Sequence, residues 1–132
     1  MSNEQYLAIL DLGSNSVRLK ITKIQDNGSF ETVQYEKRYV RLASNMGPEK
    51  MLKSTPVKRT IDALKEFRAI CDRYRNKNLT IIAVATAAVR QAQNQLQFLE
   101  KVQRETGFEI HVISGEREAY LDYIGVNQTL PI

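Results

Sequence analysis

The run Ile9 to Ile21, ILDLGSNSVRLKI, constrains the fold more than any other stretch of the chain. Tyr6 to Leu10 is a short continuous apolar segment, the pattern of a strand buried on both faces. Val17, Leu19 and Ile21 then alternate with Arg18, Lys20 and Thr22, as in a strand with one wet face. A plain hairpin between two such strands needs only two turn residues, usually Asn-Gly or a close relative. Here the connection carries an acid, Asp11, together with Gly13, the hydroxyls of Ser14 and Ser16, and the amide of Asn15. That is an array suited to holding something polar.

The remaining pattern places this turn in an α/β framework. Asp26-Asn27-Gly28 supplies turn chemistry, and Phe30 to Leu42 reads as a third strand, partly alternating through Val33, Tyr35 and Tyr39. Three strands in series imply an antiparallel meander. Ala43 to Ser54 has no clear period and contains Asn45, Gly47 and Pro48, which marks a loop. Thr55-Pro56 forms an N-cap and N1 pair, after which Val57, Ile61, Leu64, Phe67, Ile70 and Tyr74 recur at helical spacing. Leu79 to Ala85 is a second buried apolar run. A polar loop follows it, then a helix through Leu96, Leu99 and Val102 that Gly107 terminates. Phe108 to Ile113 alternates as a strand, and Ser114 opens a last helix reaching about Val126. The order is β-β-β-α-β-α-β-α, a five-stranded mixed sheet in which the strands joined through helices are parallel.

Ligands of open α/β sheets gather at the carboxyl ends of parallel strands, so the residues after each such strand matter most. After the first strand, the Gly-containing turn lets backbone N–H groups converge on an anion, with Ser14 and Ser16 as additional donors. A polar hairpin turn accounts for the same residues, and no Gly-Lys-Ser/Thr follows, so this is not the nucleotide P-loop. After the fourth strand, Thr86 and Arg90 are one helical turn apart in ATAAVRQAQN, and the planar fork of arginine suits phosphate oxygens. An exposed surface arginine is the alternative. After the fifth strand, SGEREAYLDY puts Glu116 and Glu118 in the first turn of a helix, where the helix dipole favours acids. Beside an anion site, a glutamate there would serve as a general base or a metal contact.

Composition narrows the class only coarsely. The chain has 132 residues, 42% hydrophobic and 26% charged, the make-up of one ordinary globular domain without repeats or low-complexity segments. Its net charge of +4 favours anionic partners in general. The one cysteine, Cys71, excludes an internal disulfide and sits near the apolar stripe of the long helix. No long apolar run is present, so no membrane association and a cytoplasmic location are expected. His111 has neither a second histidine nor a cysteine cluster to make a metal site with. Lys37, Arg38, Arg41, Lys50, Lys53, Lys58 and Arg59 either guide a long anionic chain or form a solvated face.

Three runs, DLGSNSVRL, VATAAVRQAQN and ISGEREAYLDYIGV, resemble in order and separation the exopolyphosphatase and guanosine pentaphosphate phosphohydrolase (Ppx/GppA) family of the actin-like ATPase superfamily. The resemblance extends from about Leu7 to Val126. It implies a ribonuclease H-like (actin-like ATPase) half-domain, with residues 1–132 as a single domain forming the N-terminal phosphate-binding lobe of a longer two-lobed phosphatase. It also implies hydrolysis of the terminal phosphoanhydride of inorganic polyphosphate or guanosine pentaphosphate with Mg²⁺. On this resemblance Asp11, Gly13, Ser14, Asn15, Ser16 and Thr86 bind substrate phosphate, and Arg90 contacts phosphate during catalysis. Glu118 is the catalytic base, and Asp11 and Glu118 hold Mg²⁺ through water. Glu116 lies where the family varies.

Two departures from the family pattern stand out. Arg41-Leu42 continues into Ala43-Ser44-Asn45-Met46 instead of a Gly-rich acidic loop, so no role is expected of that segment. The second phosphate loop of the family, Asp-x-Gly-Gly-Gly-Ser, does not occur in the chain. This lobe alone is therefore expected to be inactive or very weak. No DNA partner is expected, and the oligomeric state of the full-length protein, a homodimer included, is left open. The alternatives to hydrolysis are an ATP-binding kinase or ATPase of the same superfamily, and a noncatalytic module that binds phosphate compounds.

Overall fold

The computed structural model describes residues 4–114. Eight elements follow one another: β1 (Gln5–Leu12), β2 (Ser16–Ile24), β3 (Phe30–Tyr39), α1 (Ser54–Asp72), β4 (Asn78–Ala85), α2 (Ala87–Gln91), α3 (Gln95–Thr106) and β5 (Ile110–Val112). The five strands form one sheet in the order β3-β2-β1-β4-β5. The pairs β1–β2 and β2–β3 are antiparallel, while β1–β4 and β4–β5 are parallel, as a meander followed by helical crossovers requires. The final helix expected from Ser114 lies outside the described residues.

One face of the sheet makes the core. Tyr6, Ala8, Leu10 and Leu12 of β1 are buried and lie in register with Val17, Leu19 and Ile21 of β2 and with Ala83 and Ala85 of β4. Against them α1 presents Val57, Ile61, Leu64, Phe67 and Ile70, the stripe its spacing predicts, and α3 presents Phe98 and Val102. Burying one such side chain contributes about 1.5–3 kcal/mol. The opposite positions of β1, Leu7, Ile9 and Asp11, are only half-buried, so the continuous apolar run is not enclosed equally on both sides.

Several boundaries differ from the sequence expectation, each for a local reason. The first residue of α1 is Ser54 and its N-cap is Lys53, with no side-chain cap bond, so Thr55-Pro56 falls at the second and third helical positions, two residues inside. Pro56 is tolerated there because the first N–H groups of a helix have no intrahelical acceptor, and the first bond is closed by Val57 N–H donating to the Lys53 carbonyl at 3.1 Å. Leu96 is 74% exposed, because the buried stripe of α3 runs through Phe98, Val102 and Thr106 instead. Phe108 is buried just before the short β5, and Gly107 ends α3 at φ 75°, the left-handed conformation that favours glycine.

The strand β3 ends at Tyr39, not Leu42, and a register irregularity opposite Ile21 and Thr22 resets its alternation. Val33 packs on the core, whereas Tyr35 and Tyr39 face away from it into solvent. The core side of β3 carries Gln34, Glu36 and Arg38. Arg38 binds Glu36 at 3.1 Å and Glu66 of α1 at 3.5 Å, and its guanidinium lies 5.7 Å from the Phe67 ring. Inward-facing charges on an edge strand discourage edge-to-edge pairing with another sheet.

Candidate active site

The polar turn between β1 and β2 is built by backbone geometry. Gly13 N–H donates to the Ser16 carbonyl at 3.0 Å, and a Cβ at position 13 would lie 3.1 Å from that oxygen, tighter than nearly all real contacts. Neither Ser14 nor Asn15 takes a positive φ, so this is not the Asn-Gly type of hairpin. Instead the turn is held from outside. The Asn15 carbonyl accepts from Val40 N–H at 3.1 Å and Arg41 N–H at 2.9 Å, and the Ser14 carbonyl accepts from Ala43 N–H at 3.0 Å. With those carbonyls turned toward residues 40–43, the donor side of the turn is left to face elsewhere.

The second strand end is stitched to the first. Thr86 N–H donates to the Leu12 carbonyl at 3.2 Å, and the Ser14 hydroxyl accepts from Ala88 N–H at 3.2 Å. Ser14 thus acts as the N-terminal cap of α2 from 74 residues away, a task that the side chain of the N-cap residue Thr86 does not perform. Thr86 is buried, and Arg90 N–H closes the helical turn on the Thr86 carbonyl at 2.8 Å. Arg90 reaches the third strand end. Its guanidinium donates to the Ile113 carbonyl at 2.7 Å, while Ile113 N–H donates to Ala85 at 3.0 Å. The carboxyl ends of β1, β4 and β5 are therefore joined by hydrogen bonds into one corner.

Asp11 sits on the face of the sheet away from the helices, in one cross-strand row with Arg18 and Lys37. One of its carboxylate oxygens accepts from the Arg18 guanidinium. The other, Oδ1, is buried and has no hydrogen-bond partner among the described residues. An unpartnered buried carboxylate oxygen is costly unless a donor or a cation meets it. Among the described residues no group of three His, Cys, Asp or Glu side chains could cage a metal.

The structure thus brings Gly13, Ser14, Asn15, Ser16, Thr86 and Arg90 to one corner, with Asp11 one strand position before the turn. Glu118 and Glu116 lie outside the described residues. One participant was not anticipated. The segment following β3, of which the sequence implies no role, braces the turn through Val40, Arg41 and Ala43, then crosses to the α2–α3 corner. There Gln93 N–H donates to the Lys50 carbonyl at 2.9 Å, and the Asn94 side chain bonds the Leu52 N–H at 2.9 Å and the Leu52 carbonyl at 3.0 Å. Its backbone takes positive φ at Arg41, Asn45 and Lys50, none of them glycine, which no composition signal reveals.

A mixed sheet ordered β3-β2-β1-β4-β5, with polar turns gathered at the carboxyl ends of its parallel strands, is the five-stranded α/β half-domain that the element order implies. The model of the Ppx/GppA phosphatase family matches residues 21–132, and the chain belongs to that family. Two relatives and one solved structure illustrate the match. A bifunctional 3-dehydroquinate synthase/phosphatase of Fusobacterium nucleatum is 37% identical over 123 residues, covering 90% of this chain and 18% of the relative. A guanosine-5'-triphosphate,3'-diphosphate pyrophosphatase of Aeromonas hydrophila is 36% identical over 129 residues, covering 98% of this chain and 25% of the relative. The crystal structure of the Aquifex aeolicus member of the Ppx/GppA family superposes with a TM-score of 0.87 at 33% identity, covering 96% of this chain and 40% of that one. The chain therefore spans a quarter or less of the length of these curated relatives.

Proposed function

We propose that residues 1–132 are the N-terminal phosphate-binding lobe of a two-lobed phosphatase that hydrolyses the terminal phosphoanhydride of guanosine pentaphosphate or inorganic polyphosphate. The observation that carries this reading is the hydrogen-bonded corner that unites the Ser14 turn, the Thr86–Arg90 segment and the end of β5. Phosphoryl transfer asks little covalent chemistry of a protein and depends on positioning and charge neutralisation. A turn braced through its carbonyls and hydrogen-bonded to the segment that carries Thr86 and Arg90 supports that task.

In the proposed reaction, the N–H groups of Ser14 and Asn15 and the Arg90 guanidinium hold the terminal phosphate. Glu118 orients a water and takes its proton as the water oxygen attacks the terminal phosphorus. The bond from that phosphorus to the bridging oxygen breaks, and the electron pair leaves with the shortened substrate. Asp11 Oδ1 has the chemistry to accept a hydrogen bond from a water of hydrated Mg²⁺, an ion commonly held by one or two carboxylates plus substrate phosphates. When bound, Mg²⁺ would neutralise charge on the phosphate oxygens.

The test is phosphate release by the full-length protein from guanosine pentaphosphate and from inorganic polyphosphate, with and without Mg²⁺. Release from at least one of them without a second acceptor is expected, with the Glu118→Gln variant slower by about two or more orders of magnitude. Strict dependence on an acceptor molecule would favour a kinase of the same superfamily. Binding without cleavage would leave a noncatalytic module.

A further inference from the structure

The helix that carries Arg90 has five residues, too few to keep its own shape in water. Its geometry is imposed from both ends. At the start, the Ser14 hydroxyl accepts from Ala88 N–H at 3.2 Å, and Ala88 and Val89 are buried. At the end, the chain leaves the helix at once, since Ala92 already has extended backbone. The last carbonyls of a helix then need partners from elsewhere. The Val89 carbonyl accepts from Ala92 N–H at 3.2 Å, and the Gln95 side-chain amide donates to that same carbonyl at 2.9 Å and to the Arg90 carbonyl at 3.3 Å. Two carbonyls facing one amide call for its NH₂ group, which settles the orientation of the amide. Gln95 is itself held in place, as the first residue of α3 directly after Asn94, whose side chain is bonded to both backbone groups of Leu52.

We infer that Gln95 is a positioning residue for Arg90. It lies one residue past the run VATAAVRQAQN and carries no motif signal of its own. The carbonyls it grips belong to Arg90 and the residue before it, so its amide sets where the root of the Arg90 side chain stands. From that root the guanidinium reaches the Ile113 carbonyl at 2.7 Å, which spends one of its five N–H donors and leaves the others for an anion. The inference rests on the phosphatase reading, in which Arg90 holds the terminal phosphate. A planar fork matches phosphate oxygens only in a narrow range of geometry. Displacing such a group by about 1 Å costs up to about 100-fold in rate, out of proportion to the loss of fold stability. Gln95 touches neither substrate nor reacting atoms, and its effect passes through Arg90 alone.

The experiment measures kcat/KM of the full-length protein on guanosine pentaphosphate and inorganic tripolyphosphate for wild type, Gln95→Met and Gln95→Lys, and repeats the Met substitution in an Arg90→Lys background. Methionine keeps the length of the side chain and removes its donors, whereas lysine supplies donors again. Gln95→Met is expected to lower kcat/KM by about 10- to 100-fold on both compounds alike, because the terminal phosphate is common to them, and Gln95→Lys to recover most of the loss. In the Arg90→Lys background Gln95→Met is expected to have little further effect on kcat/KM, while its cost in urea unfolding stays the same in both backgrounds. A Gln95→Met enzyme with wild-type kcat/KM would overturn the inference, and so would a loss that multiplies with that of Arg90→Lys, which would make Gln95 a brace of the fold only. If wild type cleaves neither compound, the hydrolase reading falls, and the calorimetric affinity for tripolyphosphate in the same variants still decides whether Gln95 acts through Arg90.

Discussion

Replacing Asn94 by alanine removes both hydrogen bonds that hold the segment after β3 against the α2–α3 corner. The side-chain oxygen accepts from Leu52 N–H at 2.9 Å and the side-chain nitrogen donates to the Leu52 carbonyl at 3.0 Å. Asn94 is the N-cap of α3 but makes no side-chain cap bond, so its loss costs that helix nothing further by capping. Two ordinary hydrogen bonds account for about 1–3 kcal/mol, and stranding the polar groups of a buried residue such as Leu52 adds to this, giving a loss of about 2–4 kcal/mol. For a domain of this size that is a fall in Tm of about 6–20 °C. Urea unfolding followed by far-ultraviolet circular dichroism measures it. Asn94→Asp keeps the acceptor for Leu52 N–H and loses the donor, so it is expected near half the loss. An alanine variant within about 0.5 kcal/mol of wild type would refute the claim that this amide pins the segment.

Two further outcomes test the fold. Gly107→Ala places a Cβ on a residue at φ 75° and is expected to destabilise by about 1 kcal/mol in the same unfolding assay, with the α3 end fraying first in hydrogen exchange. Burial pushes the Cys71 thiol up from 9.0 to about 11. A group whose folded pKa is raised stabilises fully below its unfolded value and loses that contribution as pH rises through the folded one. The stability difference between wild type and Cys71→Ala is therefore expected to hold below pH 9 and shrink toward pH 11, and a difference that does not change across that window would contradict the burial.

What the sequence discloses is what depends on spacing. Val57, Ile61, Leu64, Phe67 and Ile70 recur at helical intervals and all are buried on α1, and the alternation of Val17, Leu19 and Ile21 marks the inner face of β2. Where spacing is altered by geometry the reading fails. The irregularity opposite Ile21 turns Val33 inward and Tyr35 outward, and at α3 the choice between Leu96 and Phe98 is settled by the packing of the helix on its neighbours. The corner itself was legible as polar residues after strands. Its joints were not, because Ala88 N–H to Ser14 and Arg90 to Ile113 unite groups 74 and 23 residues apart. The bracing of the turn by Val40, Arg41 and Ala43 uses backbone groups alone on both sides, and those leave no mark in the identity of a residue.

The central position of β1 has a consequence for synthesis. Its partner on one side, β2, follows almost at once, but its partner on the other, β4, begins only at Asn78. A ribosome adding about 5–20 residues per second needs roughly 3–13 s to get from one to the other. Throughout that interval the nascent meander presents the unsatisfied side of β1, with Leu7 and Ile9 beside it, to whatever else is in the cell. An open strand edge of this kind is a template for unwanted pairing. A trigger that slows translation between residues 40 and 77 would lengthen the exposure, and holding chaperones would find their grip on the youngest, not the finished, form of this lobe.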